Sequence, residues 1–341
     1  MESIYWVINH ACHRRCRHCY DTRFRPYVRD ALEARVRDSE AAFPRIVKNL
    51  PDELSFRGDD GKPHRGRIIL AGGEVLIDPV RERVLYPILD ALKEKYRGKA
   101  NVVVQTTGDL VTGEILDDLL ARGAWMVSVS GMDDFHVGHE GEKRIPLMMQ
   151  LHELFASRGM APTGADAHGL DGENAPTGWY NMFGATQDAW IGKLWPRGRA
   201  WENGLTVAGI EDNFCNAWSG GLNFLNHGEA GSEVSIEPDG SVYPCCMKTG
   251  APLGRLTEEP LIDMLDALKN EPALQAINRG DPAAMGEAYG WDRADFLARS
   301  TKDMPTGKSC SNLCIGCDAF FADVMTPILE RASAKRRRAC A

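Results

Sequence analysis

No stretch of this chain approaches the ~18 apolar residues that a membrane-spanning helix requires. The N-terminal apolar run, Ile4 to Ile8, soon gives way to charge and lacks the layout of a secretory signal. Basic charge is scarce as well. The 40 lysines and arginines face 48 acids, a net charge of −8, which argues against the basic field of a general nucleic-acid binder. The one basic run, Lys335-Arg336-Arg337-Arg338, reads as a solvated, frayed tail over 331–341. Nor is this a disulfide scaffold, because ten cysteines in 341 residues belong to a chain long enough to bury its own core. The thiols are expected to be reduced, in a cytoplasm, where thiolates bind metal.

What is present begins ten residues in. Cys12-x3-Cys16-x2-Cys19 directly follows the first apolar run and reads as a loop leaving a strand. Three thiols on so short a loop converge on one metal centre. They fill three corners of a tetrahedral zinc site, for which His13 and His18 are further donors, or they hold three irons of a 4Fe–4S cluster and leave the fourth open.

The next 150 residues alternate. Tyr27 to Leu50 carries helical apolar spacing (Leu32, Val36, Phe43, Ile46, Val47), and a polar connection follows to Arg67. The strand Arg67–Ala71 runs into Gly72-Gly73-Glu74. A helix through Leu85, Leu89, Leu92 and Tyr96 leads to the strand Asn101–Gln105 and Thr106-Thr107-Gly108. A helix from Ile115 to Leu120, ended by Gly123, precedes the strand Trp125–Val129 and Ser130-Gly131. Met148, Leu151 and Phe155 mark another helix, and a fifth strand is expected within 160–166. Such regularity predicts an α/β fold with a parallel sheet, whose strand-end loops share one ligand-binding face. His136, Asp166 and His168 are candidate substrate contacts there. Residues 169–195, rich in Gly, Asn and aromatics, read as a long substrate-side loop.

The cysteine loop resembles that of the radical S-adenosylmethionine (SAM) enzymes, with His18 as a polar version of the usual aromatic residue before the third cysteine. Gly72-Gly73-Glu74 is similar to the family's Gly-Gly-Glu motif, which holds the SAM amino group. Thr106-Thr107-Gly108 resembles the third-strand Thr-Asn-Gly, with Thr107 replacing the amide. Ser128-Val129-Ser130-Gly131 resembles the fourth-strand Ser-x-Asp-Gly, with Ser130 in place of the acid. Pro196-Arg197-Gly198-Arg199-Ala200 looks like Pro-x-Gly-Arg-Ala, which implies that Arg199 reaches the SAM carboxylate. The resemblance implies a partial (β/α)6 barrel over 1–208.

From 209 to 330 the pattern is similar to a SPASM/twitch domain. Cys215 comes first, and a Pro238-Asp239-Gly240 hairpin leads to Cys245. Leu253-Gly254-Arg255-Leu256 and a helix near 258–269 follow, then Cys314-x2-Cys317. The resemblance implies one auxiliary 4Fe–4S cluster on Cys215, Cys245, Cys314 and Cys317, with Cys310 in reserve. Only Cys246, Cys310 and Cys340 then remain of the ten, too few for a second four-thiolate cluster. A structural zinc suits the same donors.

As the resemblance implies, a reduced cluster on Cys12, Cys16 and Cys19 cleaves SAM to a 5′-deoxyadenosyl radical, which abstracts hydrogen from substrate. Electrons come from a donor such as flavodoxin or ferredoxin. With the cysteine loop so near the start, a small-molecule or side-chain substrate is expected rather than one met by a preceding peptide-recognition module. Aminocarboxypropyl-radical transfer, peptide or protein maturation, and non-catalytic metal binding or sensing stay open as alternatives.

Overall fold

Six of the seven residues of the first strand, Ser3–Asn9, are buried, the mark of a strand covered on both faces. It is an interior strand of the main sheet, with neighbours on both sides. The computed structural model describes residues 1–163, 176–185, 194–216 and 220–340. Its main sheet comprises β1 (Ser3–Asn9), β2 (Arg67–Gly72), β3 (Asn101–Thr106), β4 (Met126–Ser130), β5 (Met160–Pro162), β6 (Gly178–Phe183), β7 (Glu233–Ile236), β8 (Ser241–Tyr243) and β9 (Gly254–Arg255). The spatial order is β9-β8-β7-β1-β2-β3-β4-β6-β5. All pairings from β7 through β1 to β5 are parallel, and β8 and β9 are antiparallel additions.

Helices α1 (Arg29–Asn49), α2 (Tyr86–Tyr96), α3 (Gly113–Ala121) and α4 (Arg144–Ser157) connect the parallel strands. α1 is continuous despite Pro44, and it lays Val36, Ile46 and Val47 on the core. A short helix, α5 (Gly198–Glu202), leads into the second half, where α6 (Leu261–Leu268), α7 (Pro272–Asn278), α8 (Arg293–Ala298), α9 (Leu313–Phe320) and α10 (Thr326–Cys340) follow. No helix among the described residues is long and apolar enough to cross a membrane.

Four expectations change or gain detail. The hairpin expected within the 209–330 segment joins the first sheet, because β7 pairs with β1 from Ser3–Glu233 to Trp6–Ile236. One buried cluster accordingly runs from Ile4 through Val234 to Leu329. The polar connection before β2 contains a small hairpin, Ser55–Arg57 with Pro63–Arg65. The stretch read as a loop over 169–195 contains β6, whose aromatic residues Trp179 and Tyr180 are buried beside β4.

The basic tail is not frayed. Arg336 lies on α10 and clamps Glu259, with Nε to Oε2 at 2.6 Å and Nη2 to Oε1 at 2.9 Å, and it donates to the Leu253 carbonyl at 2.8 Å. Composition hid this, because the partner is a buried glutamate 77 residues away. Arg336→Ala strands that carboxylate at 3 % exposure and is expected to cost about 3–5 kcal/mol. Urea unfolding checks it, with Lys335→Ala as a control expected within about 0.5 kcal/mol of the parent.

Candidate metal and cofactor site

The register of the parallel strands stacks the interior in layers. Tyr5, Ile69, Val103, Met126 and Trp179 are successive partners across β1, β2, β3, β4 and β6 and form an apolar floor. Side chains alternate along a strand, so the next inward layer is Gln105, Ser128 and Asn181, again partners in register. Ser128 Oγ lies 2.7 Å from Asn181 Oδ1, and the Gln105 amide has no partner among the described residues. Above them are the strand-end loops. A cavity of about 480 Å³ opens between these layers and the cysteine loop, within the range of a small-ligand site.

Cys12, Cys16, His18, Cys19, Gly72, Gly73, Thr107, Ser128, Ser130, His136 and Arg199 all line this cavity. Sequence reasoning thus gathered one site from six segments. Asp166 and His168 lie outside the described residues. Gln105, Asn181, Tyr5, Tyr20 and Trp195, not singled out from the sequence, line it too. Gln105 was reachable, since it stands two residues before Thr107 and therefore on the same side of the strand.

Two motif residues also tie the loops of the site together. The Glu74 carboxylate accepts from Thr106 Oγ1 (2.8 Å), Thr107 N (2.7 Å), Thr107 Oγ1 (2.7 Å) and Leu76 N (2.9 Å). It joins the loops after β2 and β3, sharing the Thr107 hydroxyl with Asp109, and it does not line the cavity. Arg199 is 5 % exposed and donates to the carbonyls of Cys16 (2.7 Å), Thr22 (3.2 Å) and Phe24 (2.8 Å). It holds the cysteine loop from the cavity wall. The glycines serve the same loop. A Cβ on Gly73 would stand 2.2 Å from the Ala11 carbonyl oxygen, and one on Gly72 2.5 Å from that of Asn9.

The three N-terminal thiols are free, two buried and one half-buried. Burial pushes Cys12 up to about 12 and Cys19 to about 11, so thiolates here need a cation to stabilise them. His18 is driven down to about 4, first by burial and then by the neighbouring His136; it is a neutral ring. Asp133 holds His136 Nδ1 at 2.9 Å and accepts the Ala185 N–H at 2.7 Å.

In the second half Cys215, Cys245, Cys314 and Cys317 are free. Cys215 is raised by burial and then by Cys314 and Cys245, and Cys317 by burial, then by Asp318 and the other thiols of this group. Cys310 turns aside, toward the Ala208 carbonyl at 3.7 Å. The donor sets fit clusters better than single ions. A zinc at ~2.3 Å from each sulfur would bring its thiolates to roughly 3.8 Å of one another, whereas no three thiols among the described residues lie within 4.8 Å of each other. The groups that are that close, His18–Asp133–His136 and His10–Asp21–Glu237, are hydrogen-bonded internally or already paired with Arg23 and Lys248.

Comparison with known proteins adds a decisive point for the second half. Residues 229–287 match the SPASM iron–sulfur cluster-binding domain. This SPASM segment spans β7 to α7 and contains Cys245. No curated protein matches the chain. Among solved structures the chain is similar to BtrN in complex with AdoMet and 2-DOIA, at 14 % identity and TM-score 0.44 over 82 % of this chain and 88 % of that one. It is also similar to anSMEcpe with bound AdoMet and Cp18Cys peptide, at 14 % and 0.42 over 98 % and 99 %. Streptococcus suis SuiB follows at 12 % and 0.38 over 81 % and 67 %.

Proposed function

We propose that the protein is a radical SAM enzyme with a 4Fe–4S cluster on Cys12, Cys16 and Cys19 and one auxiliary cluster on Cys215, Cys245, Cys314 and Cys317. The observation that carries this reading is the opening of three thiols from one loop into the cavity that the strand-end motifs line. When bound and reduced, such a cluster supplies the electron that cleaves SAM to a 5′-deoxyadenosyl radical.

The chain's own residues position and exclude. Arg199 and the two glycines fix the loop, Glu74 ties the neighbouring loops, and His18 and His136 form the wall beside Cys16 and Cys19. The apolar floor keeps water from the reacting centre. Gln105, Ser128 and Asn181 offer neutral donors and acceptors for a small molecule or a side chain, and no ionisable group stands in their layer. Hydrogen abstraction by a radical needs positioning more than acid–base catalysis.

Anaerobic reconstitution is expected to load about eight irons, with 5′-deoxyadenosine released when SAM and dithionite are added. Cys16→Ala is expected to halve the iron and abolish the release. Methylthioadenosine in place of deoxyadenosine would show aminocarboxypropyl chemistry, and a fully loaded protein that leaves SAM intact would overturn the enzyme.

A further inference from the structure

The segment 196–200 lies between the two thiol sets and gives one arginine to each. Arg199 faces the N-terminal loop. Arg197 faces the other way. Its two terminal nitrogens grip the Asp318 carboxylate, with Nη2 to Oδ1 at 2.6 Å. Nη2 also donates to the Lys248 carbonyl at 3.0 Å. Both partners belong to the C-terminal thiol set by position, since Asp318 follows Cys317 directly and Lys248 stands three residues past Cys245.

The third nitrogen of this guanidinium is left over. Arg197 Nε is buried and has no partner among the described residues. Leaving a buried charged donor unpaired is unfavourable, so its placement needs an acceptor. Cys245 and Cys314 pack against one buried cluster together with Trp195, two residues before Arg197. An acceptor rich in sulfur, held by these cysteines, completes the arrangement.

We propose that the Arg197–Asp318 pair sets the reduction potential of the cluster on Cys215, Cys245, Cys314 and Cys317, with Arg197 Nε–H as a hydrogen-bond donor toward that cluster. This rests on the iron–sulfur reading of the site. The physics is direct. Four thiolates already make the centre anionic, and one-electron reduction adds a further negative charge. A fixed cation and an N–H donor stabilise the reduced form more than the oxidised one, and a fixed carboxylate does the opposite. With both present the effects partly cancel, so removing either one exposes the other. Neither residue is a catalytic residue, because each acts through the cluster.

The test uses the full chain carrying Cys12→Ala, Cys16→Ala and Cys19→Ala, so that the remaining iron–sulfur signal comes from the C-terminal site. Iron, sulfide and zinc are counted first, and the midpoint is then read by dithionite titration with paramagnetic resonance detection. Arg197→Gln is expected to lower the midpoint, Arg197→Lys to lower it less, and Asp318→Asn to raise it, each with iron retained. Midpoints unchanged from the parent, or moving in the same direction in Arg197→Gln and Asp318→Asn, would overturn the assignment. If Arg197→Gln loses its iron, Asp318→Asn decides alone by rising or failing to rise. Zinc in place of iron in the parent would overturn the iron–sulfur reading itself, and metal counting separates that outcome from a failure of the pair.

Discussion

Replacing Arg199 by lysine is expected to strip iron from the N-terminal thiol set rather than to weaken SAM binding. The guanidinium donates to three loop carbonyls at 2.7, 3.2 and 2.8 Å and reaches the Asp21 carbonyl at 3.5 Å. Hydrogen bonds to a charged group are worth about 1.5–3 kcal/mol each, so this one side chain supplies much of the order of the 16–24 loop. An ammonium has three donors in a narrow cone and no planar fork. It cannot span carbonyls spread over nine residues. The loop then loses the geometry that brings Cys12, Cys16 and Cys19 together. Iron is expected to fall from about eight to about four per chain, and SAM cleavage by roughly three orders of magnitude. Were Arg199 a SAM-carboxylate ligand, lysine would keep the iron and raise the KM for SAM, so iron counting separates the two roles.

The parts of the site that were legible in the sequence share a physical cause. A thiol has few uses in a reduced chain, so Cys12, Cys16 and Cys19 announce a metal by type and spacing. Likewise a strand followed by a small or hydroxylated residue announces a loop at the sheet's ligand face, and Thr107 and Ser130 line the cavity there. Periodicity gave β1 to β4 and their helices because each is long and regular. β6 was missed because Gly178 to Phe183 mixes Asn181 with aromatics and lacks clean alternation.

Long-range polar pairings were not legible, because charge carries no address. The sequence offers Glu74 and Arg199 as an acid and a base near a cofactor. Only the fold shows that threonine hydroxyls and backbone N–H groups bond the first and that the second bonds backbone carbonyls. The same holds for Arg336 on Glu259, and for Glu237, which reads as the last residue of an alternating strand.

Glu237 is the second large effect. It is 3 % exposed and sits where the SPASM segment meets the cysteine loop. His10 Nε2 lies at 2.9 Å, Arg23 Nη2 at 2.8 Å and Lys248 Nζ at 2.5 Å from its oxygens. Arg23 and Lys248 also hold Asp21 at 2.6 and 2.8 Å, so two acids and two bases tie the halves together. Burial pushes the Glu237 carboxyl upward, but the His10 hydrogen bond and the Lys248 and Arg23 charges outweigh it and carry it from 4.5 down to about 2. A carboxyl depressed on folding stabilises the native state above its unfolded value and loses that contribution as pH falls through the folded one. Glu237 therefore contributes on the order of 3 kcal/mol at neutral pH, lost between about pH 4.5 and 2. Glu237→Gln keeps the shape and removes the charge, leaving Arg23 and Lys248 to share Asp21. The expected cost at pH 7 is about 3–5 kcal/mol, shrinking toward acid pH. Unfolding free energies measured from pH 7 to 2.5 should show the two proteins converging. A gap that stays constant across that range would mean that the glutamine disturbs packing and that the carboxylate is not the charge anchoring the SPASM segment to the cysteine loop.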